Sequence, residues 1–391
     1  MKNTVYLVKY GEIFTKGDNR YIFMDTLVKN IKSMIKETGK YEIIKEQGRI
    51  IVKPEGDYDE ERLMKKLGQV FGVIGFSKAY MFEEKDFEII TKYALEYVDE
   101  NVSPLKKTFK VEAKRSDKSF PMNSPEICRN LGSNILDVKK ELSVDVINPD
   151  FVLWVEVRDY VYVFTDCVKA AGGMPIGTNG KALLLLSGGI DSPVAGWMIG
   201  KRGVYVESIY FDSPPYTSEK AKEKVVDLAK EVGEYIPKMK LNRVNFTEIQ
   251  LYIKEKCPLD ELTIIMRMLM MKIAERVAKE IDAQALITGE SIGQVASQTM
   301  HSLAVTNSSV NMPVFRPLIG FDKEEIVDIA KMIDTYETSI LPYEDCCTLF
   351  VARHPKTKPN LENILKSMEA LTDIERMLDE EVTTREIIEI S

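Results

Sequence analysis

The spacing of apolar and polar positions divides the chain into three stretches. In residues 1–57, Thr4-Val5-Tyr6-Leu7-Val8-Lys9-Tyr10 alternates as a half-buried strand does, Asn19 to Glu37 carries apolar residues at helical spacing, and YEIIKEQGRIIVKP reads as a hairpin. Pro54-Glu55-Gly56-Asp57 punctuates the end of this small α+β unit. Residues 58–168 read as helix (Asp59 to Leu67), the apolar run VFGVIGFSKAYMF, helix (Phe87 to Val98), strand (FKVEAKR), helix (Pro125 to Asp137) and two closing strands, FVLWVEVRD and YVYVFTDCV. That succession predicts a mixed sheet with helices on one face. Residues 169–180 are a glycine-rich linker, with four glycines and a proline between Ala170 and Gly180.

Residues 181–391 change to an α/β alternation. The strand ALLLLS, a helix from Ser192 to Arg202 and the strand VYVESIYF make one βαβ unit. A helix from Thr217 to Val232, the strand KMKLNRVNF, a long helix from Leu259 to Ile281 and the strand ALITGES continue the pattern. The expected fold is a doubly wound parallel sheet with its ligand site at the carboxyl ends of the strands. The acidic tail from Met368 is expected to form a solvated closing helix.

With 45% apolar and 29% charged residues among 391, the composition is that of a soluble globular protein of two or three domains. No run approaches the roughly 18 to 20 apolar residues of a membrane-spanning helix, and the N-terminus enters a strand pattern where a signal peptide would need an apolar core. The five cysteines (Cys128, Cys167, Cys257, Cys346, Cys347) form no C-x-x-C pair, and only two histidines are present. Neither a zinc site nor a disulfide framework is expected, and a reducing cytoplasm is the default compartment. A net charge of −8 argues against a basic coat. Between Pro104 and Lys140, however, nine basic side chains face four acidic ones, a local patch able to meet a polyanion. Within it Lys114, Arg115 and Lys118 lie near Phe120, which offers either phosphate contacts plus base stacking or a plain solvated basic face.

The chemistry concentrates where ALLLLS breaks into Ser187-Gly188-Gly189-Ile190-Asp191-Ser192. A buried strand, a tight turn and a helix start in immediate succession leave unpaired helical amides and a partial positive charge at one point. With Ser187 and Ser192 hydroxyls beside them, these amides form a cradle for phosphate or pyrophosphate. The spacing matches neither the G-x-x-x-x-G-K-[ST] loop nor the dinucleotide G-x-G-x-x-G. Asp191, acceptor-only, would hold Mg²⁺ on the phosphates, orient the loop, or cap the helix. Leu185 and Leu186, with Tyr210 and Phe211 on the next strand, could sandwich a base or simply fill the core. Gly289 permits close backbone approach at the end of ALITGES, and Gln298 could hydrogen-bond base or ribose. Arg267 stands inside the apolar helix LTIIMRMLMMKIA, so it either snorkels outward or faces an anion. Cys346-Cys347 in SILPYEDCCTLF is either buried structure or a thiol pair placed over the site as nucleophile or sulfur carrier.

SGGIDS resembles the PP-loop of ATP pyrophosphatases, which cleave ATP between its α and β phosphates. Together with the glycine linker GGMPIGTNGK, SPPYTSEKAKEKV, ITGESIGQVASQT and LPYEDCC in this order, the chain resembles the tRNA 4-thiouridine synthetase (tRNA sulfurtransferase) family over nearly its whole length. The resemblance implies an N-terminal ferredoxin-like domain, a THUMP RNA-binding domain carrying VFGVIGFSKA and FKVEAKRSDKSF, and a C-terminal PP-loop domain. It implies a tRNA uracil 4-sulfurtransferase that uses Mg-ATP to adenylate O4 of uridine 8 in tRNA, releases pyrophosphate, and lets a persulfide sulfur displace AMP. By that match Ser187, Gly188, Gly189, Asp191 and Ser192 form the pyrophosphate loop. Leu185, Leu186, Tyr210, Phe211, Arg267, Gly289 and Gln298 contact the nucleotide, and the sulfur acceptor is Cys347 or Cys346. The implied partners are tRNA, a cysteine desulfurase as persulfide donor, and a second copy of the chain. Some members add a rhodanese domain, for which the 44 residues after Cys347 are too few, so a role in sulfur supply to the thiamine thiazole is less expected. Others carry three cluster-binding cysteines, and here no iron–sulfur cluster is expected. The alternatives are a PP-loop synthetase or amidotransferase acting on another substrate, a 2-thiouridylase-like enzyme, or an RNA-binding protein with a vestigial nucleotide site.

Overall fold

The computed structural model describes residues 2–343 and 356–390, which divide into two compact units, 1–174 and 175–391.

In the first unit, β1 (Asn3–Tyr10), α1 (Arg20–Ile35), β2 (Gly39–Glu46), β3 (Arg49–Tyr58), α2 (Glu60–Gln69) and β4 (Val73–Phe82) form a βαββαβ motif with antiparallel strand order β2-β3-β1-β4. The alternation in β1 sends Tyr6 and Val8 toward α1 and α2, where they meet Leu27, Ile31, Leu63 and Leu67. Val5 and Leu7 point to the other face with Ile51, Ala79 and Met81. The boundary expected at 57/58 cuts through this motif. β4 lies beside β1, with Val5 opposite Ala79 and Leu7 opposite Ser77, so α2 and β4 complete the first motif and do not open the second. Pro54 to Asp57 is the end of β3 and not a linker; there the strand pairs with β2 alone, so a proline costs no central ladder bond.

The sheet continues without a break. β4 pairs with β8 (Val161–Phe164), then come β7 (Phe151–Val157), β5 (Thr108–Arg115) and β6 (Ser143–Val144), while β9 (Val168–Lys169) adds to β4. β5 and β7 run parallel and β7 and β8 antiparallel, the mixed sheet expected. Two helices, α3 (Phe87–Asn101) and α4 (Ser124–Val138), pack on one face around Ile90, Ala94, Ile127, Leu131, Leu153 and Val155. Asp86 caps α3, and Asn123 with Glu126 makes a reciprocal capping box on α4.

The second unit is a six-stranded sheet of order β14-β13-β10-β11-β12-β15. Its strands are β10 (Lys181–Leu185), β11 (Tyr205–Asp212), β12 (Lys240–Asn245), β13 (Ala285–Ile287), β14 (Val314–Phe315) and β15 (Glu386–Glu389). The first five are parallel, as the near-continuous apolar runs predict. Its helices are α5 (Asp191–Gly200), α6 (Glu219–Gly233), α7 (Thr247–Lys256), α8 (Leu262–Glu280), α9 (Met300–Asn307), α10 (Lys323–Met332), α11 (Tyr336–Ser339), α12 (Leu361–Met368) and α13 (Ile374–Thr384). Leu183 of β10 joins the cluster formed with α7, α8 and α13, whereas Leu184 lies against Gly196 of α5, so both faces of the central strand are covered. The chain goes from β10 outward to β11 and β12, then returns to the other side of β10 as β13. That reversal creates a switch point between β10 and β13.

The tail departs from the solvated helix expected of it. Ile374, Leu378 and Val382 of α13 enter the main core, and β15 closes the sheet antiparallel to β12.

Candidate functional site

A cavity of about 480 Å³ opens at the carboxyl ends of β10, β11 and β13. Eleven of the twelve residues proposed for a nucleotide line it: Leu185, Leu186, Ser187, Gly189, Asp191, Ser192, Tyr210, Phe211, Arg267, Gly289 and Gln298. Gly188 belongs to the same turn but not to the lining.

The turn is tied by its two serines. The Ser187 amide donates to Ser192 Oγ at 2.9 Å, the two hydroxyl oxygens lie 3.0 Å apart, and the Gly189 amide donates to Ser187 Oγ at 3.4 Å. Helix α5 starts at once, and its N-cap, Ile190, provides no side-chain bond to the first amides. A helix start with no side-chain cap, facing a cavity, is a site for an anionic oxygen. Asp191 is therefore not the cap; it occupies the first helical turn and pairs with Lys323 of α10, Nζ to Oδ1 2.7 Å.

Gly289 has a role the sequence did not reveal. A Cβ there would lie 2.7 Å from Asp191 C and Ser192 N. The close approach is thus to the backbone of α5, clamping the end of β13 against the phosphate-type turn. Tyr210 and Phe211 are each nearly buried, Phe211 meets Phe246 edge-on at 5.6 Å, and both border the cavity.

Arg267 does not snorkel outward. The residue lines the cavity, and its guanidinium bonds Ser297 Oγ at 3.0 Å and pairs with Glu290. Glu290 also accepts from Arg316 Nε at 2.6 Å and from Thr288 Oγ1 at 2.8 Å. Burial pushes the Arg316 guanidinium below its usual pKa. Glu290, Arg316, Lys323 and Lys356 were not singled out in the sequence, because each looks like an ordinary surface charge there. Lys356 lines the cavity and pairs with Glu261 at 2.6 Å. Gln298 Oε1 is a buried acceptor with no partner among the described residues, as expected of a group that bonds a ligand.

Cys346 and Cys347 lie outside the described residues. Of the others, Cys257 is buried and donates to Ser367 O, Cys128 is half-buried, and burial pushes both thiols up; Cys167 is exposed. Among the described residues no cluster of three or more His, Cys, Asp or Glu is arranged to hold a metal ion, and no helix is long and apolar enough to cross a membrane.

In the first unit the basic patch is thinner than its sequence suggests. Lys106, Lys110, Lys139 and Lys140 pair with Asp166, Glu112, Asp99 and Asp137, leaving Lys107, Lys114, Lys118 and Arg129 exposed without ion pairs among the described residues. Phe120 is only 3% exposed and packs in the core, so it has no face for a base; Arg115 is engaged in bonding its carbonyl at 3.0 Å. An exposed aromatic does occur elsewhere. Phe14, half-exposed, stacks on Tyr10 at 4.7 Å with the Arg20 guanidinium 4.7 Å from its ring centroid.

Three family models match the chain in succession: the ThiI ferredoxin-like domain over residues 5–77, the THUMP domain over 84–166, and the thiamine biosynthesis protein (ThiI) over 177–372. A probable tRNA sulfurtransferase of Acetivibrio thermocellus is 56% identical over 389 residues, covering 99% of both chains. Another from Caldanaerobacter subterraneus subsp. tengcongensis is 53% identical, again with 99% of each covered. Among solved structures, a 4-thiouridine synthetase in complex with RNA and bound ATP superposes with a TM-score of 0.93 at 44% identity over all of both chains. A Pyrococcus horikoshii Ot3 protein superposes at 0.65, with 26% identity over 85% of this chain and 99% of its own. The chain belongs to the ThiI family, whose curated members are named tRNA sulfurtransferases.

Proposed function

We propose that the cavity binds ATP and that the chain uses it to replace O4 of a tRNA uridine with sulfur. The protein is an ATP-dependent tRNA sulfurtransferase that makes 4-thiouridine. The observation that carries the site assignment is the serine-tied turn at Ser187 running into an α5 start without a side-chain cap, at the switch point of a parallel sheet.

A carbonyl oxygen on a pyrimidine is a poor leaving group. In the first step uridine O4 attacks the α-phosphorus of ATP, the bond to the β-phosphate oxygen breaks, and pyrophosphate leaves. The amides of Gly188 to Ser192 and the hydroxyls of Ser187 and Ser192 are fixed before reaction, so they meet the charge gathering on pyrophosphate without reorganising. Tyr210, Phe211, Leu185 and Leu186 enclose the adenine, while Arg267 and Gln298 bond phosphate and sugar or base. A divalent cation, Mg²⁺, would supply charge neutralisation on the phosphates. Asp191, an acceptor-only carboxylate at the loop, fits it as a ligand and would exchange its Lys323 pairing for that role. In the second step the terminal sulfur of a cysteine persulfide attacks C4 and AMP leaves with the oxygen, giving a C4–S–S–Cys disulfide. A second thiol then attacks the cysteine sulfur, 4-thiouridine leaves as the thiolate, and a thiol reductant reopens the disulfide formed. The resemblance assigns the carrier to Cys346 or Cys347, charged by a cysteine desulfurase.

The tRNA is held by the first unit, through Lys114, Lys118 and the Phe14–Arg20 stack. The protein works as a homodimer in the cytoplasm, where its substrate is. The test supplies purified protein, ATP, a persulfide donor and unmodified tRNA and follows 4-thiouridine absorbance. Product formation that requires ATP, and that Cys347→Ser abolishes while one turnover of pyrophosphate release persists, is the expected result. Absence of thiolated product with every tRNA tried rejects the reading.

A further inference from the structure

Glu290 stands between two arginines that reach it from different elements. Arg267 comes from the second turn of α8, and Arg316 is the residue immediately after β14. The Glu290 carboxylate is almost fully buried and accepts from both guanidinium groups and from Thr288. Each arginine is fixed a second time, Arg267 on Ser297 Oγ and Arg316 on Asn307 Oδ1, both at 3.0 Å. Arg267 and Glu290 line the cavity, and Arg316 does not.

The charge balance makes this arrangement more than a structural ion pair. Arg267 with Glu290 alone would be neutral toward a ligand, and a buried neutral pair seldom repays its desolvation. Arg316 restores one net positive charge from behind the wall. The carboxylate therefore orients the front guanidinium without cancelling the group's attraction for an anion. Once pyrophosphate has left, the nucleotide attached to uridine carries a single negative charge on its phosphodiester, which is the valence the triad matches.

We propose that Glu290 is a positioning residue for adenylation: braced by Arg316, it locks the Arg267 guanidinium in one orientation on the cavity wall, where the triad meets the phosphodiester joining AMP to the uridine oxygen. This rests on the adenylation reading above. A guanidinium ordered in advance stabilises charge at the moment of reaction without first losing its own freedom.

The test is steady-state AMP release by the full chain with ATP, a persulfide donor and tRNA, wild type beside variants. Glu290→Gln keeps the shape and one acceptor oxygen but removes the charge that orients both arginines. The kcat is expected to fall on the order of 100-fold, the scale of a misplaced catalytic group, while the KM for ATP changes little because net positive charge remains. Glu290→Asp restores the charge, recovers part of kcat, and also serves if the glutamine variant is unstable. Arg316→Gln is expected to reproduce the kcat loss, and the double variant to lose no more than either single one, since the two act as a unit. An unchanged kcat in Glu290→Gln overturns the proposal. So does recovery by excess Mg²⁺, which would make Glu290 an ion ligand. Wild-type protein that forms no AMP with tRNA and the persulfide donor overturns the adenylation reading and the proposal together.

Discussion

Lys323 Nζ lies 2.7 Å from Asp191 Oδ1 and so joins the head of α10 to the first turn of α5. Lys323 is half-exposed, and such a pair contributes only about 0–1 kcal/mol to folding. Its position beside the phosphate-type turn suits a cation that meets departing pyrophosphate once Asp191 turns to Mg²⁺. Lys323→Met is expected to lower tRNA-dependent pyrophosphate release by at least about tenfold, the scale of losing one preorganised charge. The melting temperature should move by no more than a degree or two for a protein of this size. Equal activity with a lowered melting temperature would reduce the pair to a structural link.

Gly289 makes the opposite prediction, a joint loss of stability and binding. Its Cβ position is occupied by the backbone of Asp191 and Ser192, which cannot move as a flexible side chain would. Gly289→Ala should cost about 1–3 kcal/mol by overpacking and displace the turn, weakening ATP binding as well. Chemical denaturation and nucleotide titration on the same sample measure both effects. A stable Gly289→Ala protein with normal ATP affinity contradicts the clamp.

What the sequence made legible follows from locality. SGGIDS could be read because a strand, a turn and a helix start sit within a few residues, and spacing alone carries the chemistry. The Glu290–Arg316 pairing could not, since it depends on two strand ends becoming neighbours across the sheet. Phe120 failed for the converse reason. Closeness to Lys114 and Lys118 in sequence suggested one surface, yet the strand and the following turn send its ring into the core. β15 was missed because four residues give too short an alternation to separate from a helix. β4 reads in sequence as an apolar run of the second stretch because only tertiary pairing with β1 reveals its membership in the first motif.

RNA binding by the first unit separates surface from core. Phe14→Ala should weaken affinity for single-stranded tRNA ends by about 1–3 kcal/mol, the contribution of one stacked base, and leave unfolding unchanged. Lys114→Ala and Lys118→Ala should each reduce the slope of log affinity against log salt by about 1. Phe120→Ala, by contrast, should destabilise the fold by about 3–5 kcal/mol. Filter binding over a salt series, with thermal unfolding beside it, distinguishes these patterns. Normal RNA affinity in Phe14→Ala removes that stack from the interface.

Glu381 on α13 gives a pH signature. Burial, together with the nearby carboxylates of Glu380, Glu248 and Asp212, pushes it up to about 7 from an ordinary 4.5. In the folded state this acid holds its proton longer than in the unfolded chain. Its contribution is therefore neutral below about pH 4.5, becomes increasingly unfavourable as pH rises to 7, and stays constant above. Glu381→Gln should flatten the decline in urea midpoint between pH 5 and 7.5 and stabilise the protein most at pH 8. An identical pH dependence in the variant would show that Glu381 titrates normally.

The central claim is that the turn from Ser187 to Ser192 holds the outer phosphates of ATP while AMP is passed to a tRNA base. Incubating the protein with tRNA, a persulfide donor and ATP labelled at the α and γ positions, then separating the nucleotides, tests it most directly. The account predicts tRNA-dependent labelled AMP and pyrophosphate, lost in Asp191→Ala. Labelled ADP and orthophosphate in their place would contradict it.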